Sequence, residues 1–174
     1  MQREKDFDAP IKLSDKSMKR QRRIPDSIVK IELEDGYYGY AQILEKSMVY
    51  FEMRTKNELR GKLLEALLEV QILFFCSVYN DVITKDRWLK VGKLPIKTEF
   101  EVLPMKFIHD DLKLGFFELY DPNTGEITSS IYEKCKDLEC AAVWEAEHVE
   151  DRLRDHYNGV ENKWVKSMSL IKGN

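Results

Sequence analysis

The sequence predicts an α+β fold: a strongly bent antiparallel β-sheet of about six to eight strands, or a partly open barrel, with two amphipathic helices. Three observations predict it. Short runs of alternating or aromatic and β-branched residues are punctuated by turn residues, most clearly Asp35-Gly36 and Asp121-Pro122-Asn123-Thr124-Gly125. Two stretches switch to the period of a helix with one apolar face. Finally, 43% of the 174 residues are hydrophobic, enough to bury one core without disulfide or metal staples.

The elements follow in order. Residues 1–23 carry eight Lys/Arg and four Asp/Glu with little periodicity, so a flexible basic arm is expected there and one domain over 24–174, entered at Pro25. Ile28-Val29-Lys30-Ile31-Glu32-Leu33 alternates apolar and polar, Tyr37 to Leu44 is aromatic and β-branched, and Glu34-Asp35-Gly36 between them suits a tight hairpin turn. Met48 to Met53 makes a third strand. Thr55-Lys56-Asn57-Glu58 has capping-box spacing, and Leu59, Leu63, Leu67 and Val70 then share a face, so an amphipathic helix is expected over about 57–69. Gln71 to Tyr79 reads as a strand ending in an Asn80-Asp81 turn, and Arg87-Trp88-Leu89-Lys90-Val91 as another, closed by Gly92. Lys113 to Tyr120 and Glu126 to Tyr132 form a second hairpin. Val149, Leu153 and Tyr157 place a second helix over about 145–158, with acids early, bases late and Gly159 as its cap. Trp164 to Leu170 reads as a last strand.

Charge and composition exclude several classes. The longest apolar run, Ile72 to Cys76, is far short of the roughly 18 residues a membrane helix needs. No apolar leader follows the first charged residues, so residence in the cytoplasm is expected. Cys76, Cys135 and Cys140 are odd in number and read as reduced thiols, Cys76 as a core residue. The net charge of −3 divides into +4 over residues 1–23 and −7 over the rest. The tract Lys16 to Arg23 suggests a nucleic-acid arm, but an acidic body repels a phosphate backbone, so a solvated lead-in is the preferred reading.

Chemistry leaves few marks. There is no Gly-x-Ser-x-Gly elbow, phosphate-binding loop, Gly-x-Gly-x-x-Gly or His-Glu-x-x-His. His148 and His156 stand eight residues apart on one helix, roughly 12 Å along its axis, too far to share a zinc ion. Cys135-x4-Cys140 lacks a second ligand pair. His109-Asp110-Asp111 reads as a loop ending a strand. No catalytic residue, metal or cofactor is assigned, and no enzyme is expected. From Glu133 to Glu161, nine Asp/Glu oppose four Lys/Arg, a docking surface for a basic partner. Tyr38, in a strand where alternation turns some tyrosines outward, is a candidate anchor.

The segments Ile31-Glu32-Leu33-Glu34-Asp35-Gly36-Tyr37-Tyr38-Gly39-Tyr40-Ala41-Gln42-Ile43-Leu44, Met48-Val49-Tyr50-Phe51 and Arg87-Trp88-Leu89-Lys90-Val91-Gly92-Lys93-Leu94-Pro95 together resemble the immunity protein 26 family of bacterial polymorphic-toxin systems. The likeness spans about residues 24–132, and the part after it looks like an extension of longer members. The resemblance implies toxin neutralisation, as in contact-dependent growth inhibition. The expected partner is the C-terminal domain of a cognate toxin; the acidic surface would suit a nuclease, but the toxin's chemistry is not legible in the sequence. Binding is assigned to Tyr38, Glu145, Glu147, Glu150, Asp151 and Asp155. Two rival readings are a metal-dependent phosphotriester hydrolase, after the name some relatives bear, and a nucleic-acid module using the basic arm. Oligomeric state is not legible.

Overall fold

The computed structural model describes residues 20–109, 112, 113 and 115–170. Strand β1 (Ser27–Glu32) turns through Glu34–Gly36 into β2 (Tyr38–Ile43), and β3 (Met48–Thr55) follows. The first turn is possible because Asp35 and Gly36 both take positive φ, 61° and 71°, a region open to Gly and tolerated by Asp. After β3 come a 3-10 segment (Gly61–Leu68), β4 (Ile72–Val78), the single-turn helix α1 (Asp81–Thr84) and β5 (Leu89–Lys93). A second hairpin region contains β6 (Lys106–His109), β7 (Phe117–Tyr120) and β8 (Ile127–Ser130). The chain closes with α2 (Tyr132–Cys135), β9 (Glu139–Cys140), β10 (Val143–Trp144), α3 (Ala146–Asn158) and α4 (Lys163–Ser167).

These strands form two open sheets, ordered β10-β4-β3-β2-β1-β5 and β8-β7-β6-β9. The α+β class is as expected, but no barrel closes. Nor is the pairing wholly antiparallel: β10 runs parallel to β4 and β9 parallel to β6. One short stretch, 139–144, therefore supplies an edge strand to each sheet. The two-residue length of β9 and β10 leaves no alternation to read, which is why neither was foreseen.

Alternation along β1 to β4 splits the core into two layers. Val29, Ile31, Ala41, Ile43, Met48, Tyr50, Phe74 and Cys76 face Trp88, Trp144 and the α3 residues Val149 and Leu153. Ile28, Tyr40, Val49 and Phe51 face the other way, onto Leu64, Leu67, Phe100 and Leu103. The large sheet is thus buried on both sides, with Tyr50 stacked on Phe74 at 4.6 Å.

Two helical expectations need correction. The segment after β3 is a 3-10 helix beginning at Gly61, whose φ of 55° breaks any earlier start. The capping box does not form: Thr55 donates its hydroxyl to Asn57 O, and the Tyr40 hydroxyl accepts from Leu59 N. Leu64 and Leu67 are the buried pair, as the three-residue repeat of a 3-10 helix demands, while Leu63 is 63% exposed. At the other end, Trp164 to Leu170 is not a strand. Asn162 accepts from the amides of Trp164 and Val165 and starts α4 instead.

The basic arm, read over 1–23, lies outside the described residues except for its last four. There Gln21 donates its amide to Trp88 O and accepts from Lys90 N, following the outer edge of β5 as a peptide group of a neighbouring strand would. Arg20 and Arg23 donate to the carbonyls of Thr84 and Ser47. Among the described residues, no helix is long and apolar enough to cross a membrane.

Candidate protein-interaction site

Helix α3 carries the acidic residues, and its ends show why it forms where it does. Acidic Glu147 sits in the first turn, and Gly159 at φ 66° closes the last, its amide donating to His156 O and that of Val160 to Asp155 O. This crossed pair satisfies carbonyls that a helix end leaves free. Val149 and Leu153 pin one face to the large sheet, so the 13 residues present about 20 Å of helix along its outer side.

The five expected carboxylates share this helix, yet the structure gives them different employments. Glu145 precedes the first turn, exposed and making no side-chain cap. Glu147, 61% exposed, accepts from Arg87 Nη1 at 2.5 Å. Its own amide, then Arg87, hold its pKa below the usual carboxylate range. Glu150 is only 12% exposed and receives Arg87 in a two-pronged bond, Nε to Oε1 at 2.9 Å and Nη2 to Oε2 at 2.8 Å. It also accepts the indole N–H of fully buried Trp88. Asp151 accepts from Trp164 Nε1 at 2.9 Å and pairs with Arg154; the indole bond first, then Arg154, lower its pKa. Asp155 accepts from Asn162 at 2.8 Å.

Tyr38 is not brought to this group. It lies half-buried on the opposite face of the large sheet, with Tyr40 and Ile28, and Lys30 stands 4.8 Å from its ring. The site residues therefore divide between two surfaces. Sequence reading missed the cation that organises α3, because Arg87 lies 60 residues before Glu147 and nothing local in Arg87-Trp88 announces the pair.

A second polar cluster stitches the two sheets. Glu139 of β9 accepts from Arg152 of α3 and from Lys106 of β6, and Lys106 also donates to Phe75 O on β4. The Arg152 guanidinium lies 3.7 Å over the Phe74 ring. Burial pushes the Glu139 pKa up, but the two cations more than offset it and the net direction is down. Beside this cluster a 530 Å³ cavity opens between the sheets, lined by Phe75, Cys76, Leu103, Lys106, Tyr120 and Trp144. Burial pushes the Cys76 thiol up to about 12, so it stays protonated at neutral pH and is a poor nucleophile. Among the described residues, no three His, Cys, Asp or Glu side chains gather as metal ligands would. His109 ends β6 and stacks on Phe117 at 5.5 Å; its neighbours Asp110 and Asp111 lie outside the described residues.

What the arrangement offers is an ordered, charged surface. Comparison with known proteins gives one match, to the family model described as immunity protein 26, over residues 25–118. No curated protein and no solved structure matches the chain. The matched stretch holds the Asp35-Gly36 turn and the strands that first suggested the family, runs from β1 into β7, and covers more than half of the 174 residues. The chain belongs to the immunity protein 26 family.

Proposed function

We propose that the protein neutralises a cognate toxin in the cytoplasm by binding it directly, acting through occupancy rather than turnover. Family membership supports a toxin partner, and the observation that carries the choice of surface is the state of the α3 carboxylates. Glu147 is exposed yet already held by Arg87, so its position needs little further ordering when a partner arrives. Glu145 beside it is exposed and uncommitted to a cap. Together they form a negative rim suited to a basic surface, such as the substrate cleft of a nuclease toxin. Glu150, Asp151 and Asp155 support that rim from below, tied to Trp88, Trp164 and Asn162. Tyr38 would serve a contact on the opposite face.

The test is to read the gene directly upstream of this one and to co-express the toxin domain it encodes. A stable complex and restored growth are expected. Failure of both to appear sinks the reading.

A further inference from the structure

The far end of α3 carries a different feature. Arg54, exposed near the end of β3, places its guanidinium carbon 4.7 Å over the Tyr37 ring and 4.9 Å over the Tyr157 ring. Each part is delivered by a local irregularity. The positive-φ pair Asp35 and Gly36 brings Tyr37 round at the start of β2, and the β2–β3 register shift between Gly39 and Ala41 re-aims the strand that carries Arg54. Tyr157 stands in the last turn of α3, beside the Gly159 cap. Among the described residues the Arg54 side chain makes no hydrogen bond and no ion pair. The arginines of α3, Arg152 and Arg154, are by contrast engaged by Glu139 and Asp151.

A guanidinium ordered over two aromatic rings has already lost most of its freedom, while its N–H edges stay available. The group it fits is a carboxylate, which can accept two parallel N–H bonds. Phosphates share that geometry, but a nucleic-acid strand brings many, and the chain beyond residue 23 carries a net charge of −7. A single carboxylate meets less of that repulsion, and Lys56, whose Nζ stands 5.3 Å over the Tyr37 ring, adds a second cation beside Arg54. Tyrosine and arginine are also the residues that dominate binding energy at protein interfaces.

We propose that Arg54, held by Tyr37 and Tyr157, is an anchor that receives one Asp or Glu side chain of the partner protein. The inference rests on the toxin-binding reading and adds an acidic contact at the opposite end of α3 from the Glu145–Glu147 rim.

The probe is the upstream-encoded toxin domain, titrated against the native chain, Arg54→Gln and Arg54→Lys, with thermal melting as the folding control. Both variants should remain folded, with melting lowered by no more than the exposed ring contacts are worth, about 0.5–1 kcal/mol each. Both should bind at least about tenfold more weakly, the lysine keeping the charge but losing the two-pronged fork. Replacing each toxin Asp or Glu by its amide should reveal one position whose loss is not additive with Arg54→Gln. Native affinity in Arg54→Gln overturns the anchor and leaves the toxin-binding reading intact. Absence of binding by the native chain overturns both. Salt-sensitive binding of an oligonucleotide that Arg54→Gln abolishes also overturns the anchor.

Discussion

Trp88 donates its indole N–H to Glu150 Oε1 across 2.9 Å, joining the family-matched part of the chain to the helix beyond it. The tryptophan is fully buried, so its donor has no water to fall back on. Removing the acceptor by Glu150→Ala leaves that N–H unsatisfied and leaves Arg87 with Glu147 alone. A loss of about 1–3 kcal/mol is expected, read by urea unfolding followed through tryptophan fluorescence. Unchanged stability would mean the bond is not maintained in solution.

Acid should loosen the seam between the sheets. Glu139 has a depressed pKa in the folded protein, so it binds protons less readily than in the unfolded chain. Its contribution is therefore present above the unfolded value, about 4.3, and is lost as pH falls through the folded one. With 37% of the side chain in water, screening trims the worth of the pair to about 1–2 kcal/mol. Stability profiles of the native chain and Glu139→Gln should converge below about pH 4 and separate above it. Parallel profiles would show that the pair carries no proton linkage.

Gly92 is fixed by its neighbour. A β-carbon there would overlap the end of buried Leu64, although the glycine φ is ordinary. Gly92→Ala should cost about 1–3 kcal/mol, and pairing it with Leu64→Ala should cost less than the two changes added. Denaturation midpoints of the three variants decide it; strict additivity would show that the two residues do not meet.

Glu145→Lys reverses a charge on the rim of α3 without removing a hydrogen bond. Association with the toxin domain should slow by about three- to tenfold at low salt, with little change in dissociation, and the effect should fade as salt rises. An unaltered association rate would move the docking surface away from this end of the helix.

Local chemistry made β1 to β5, the β7–β8 hairpin, the Asp35-Gly36 hairpin and α3 readable in advance. Asp35-Gly36, the turn at 121–125 and Gly159 each require a backbone shape that few other residues accept. Much of what escaped was decided at a distance. The Tyr40 hydroxyl takes the amide of Leu59, so the expected helix is delayed to Gly61 and tightens into a 3-10 form. One miss was local: Asn162 caps the amides of Trp164 and Val165, and the aromatic and β-branched pair reads as a strand where α4 starts. The candidate site divides in the same way. Acid on α3 was visible in composition, whereas its arrangement depends on Arg87, and the setting of Arg54 depends on Tyr157, more than 100 residues later.

Because 139–144 edges both sheets and Arg152 locks the seam behind it, the molecule is finished from its far end. A chain leaving the ribosome can assemble its early hairpins and the Lys106–Phe75 contact between the sheets, but the Arg152–Glu139 bond that closes the seam waits until α3 has been made. Fragments that stop before that helix would leave raw sheet edges open to unwanted pairing and to proteolysis.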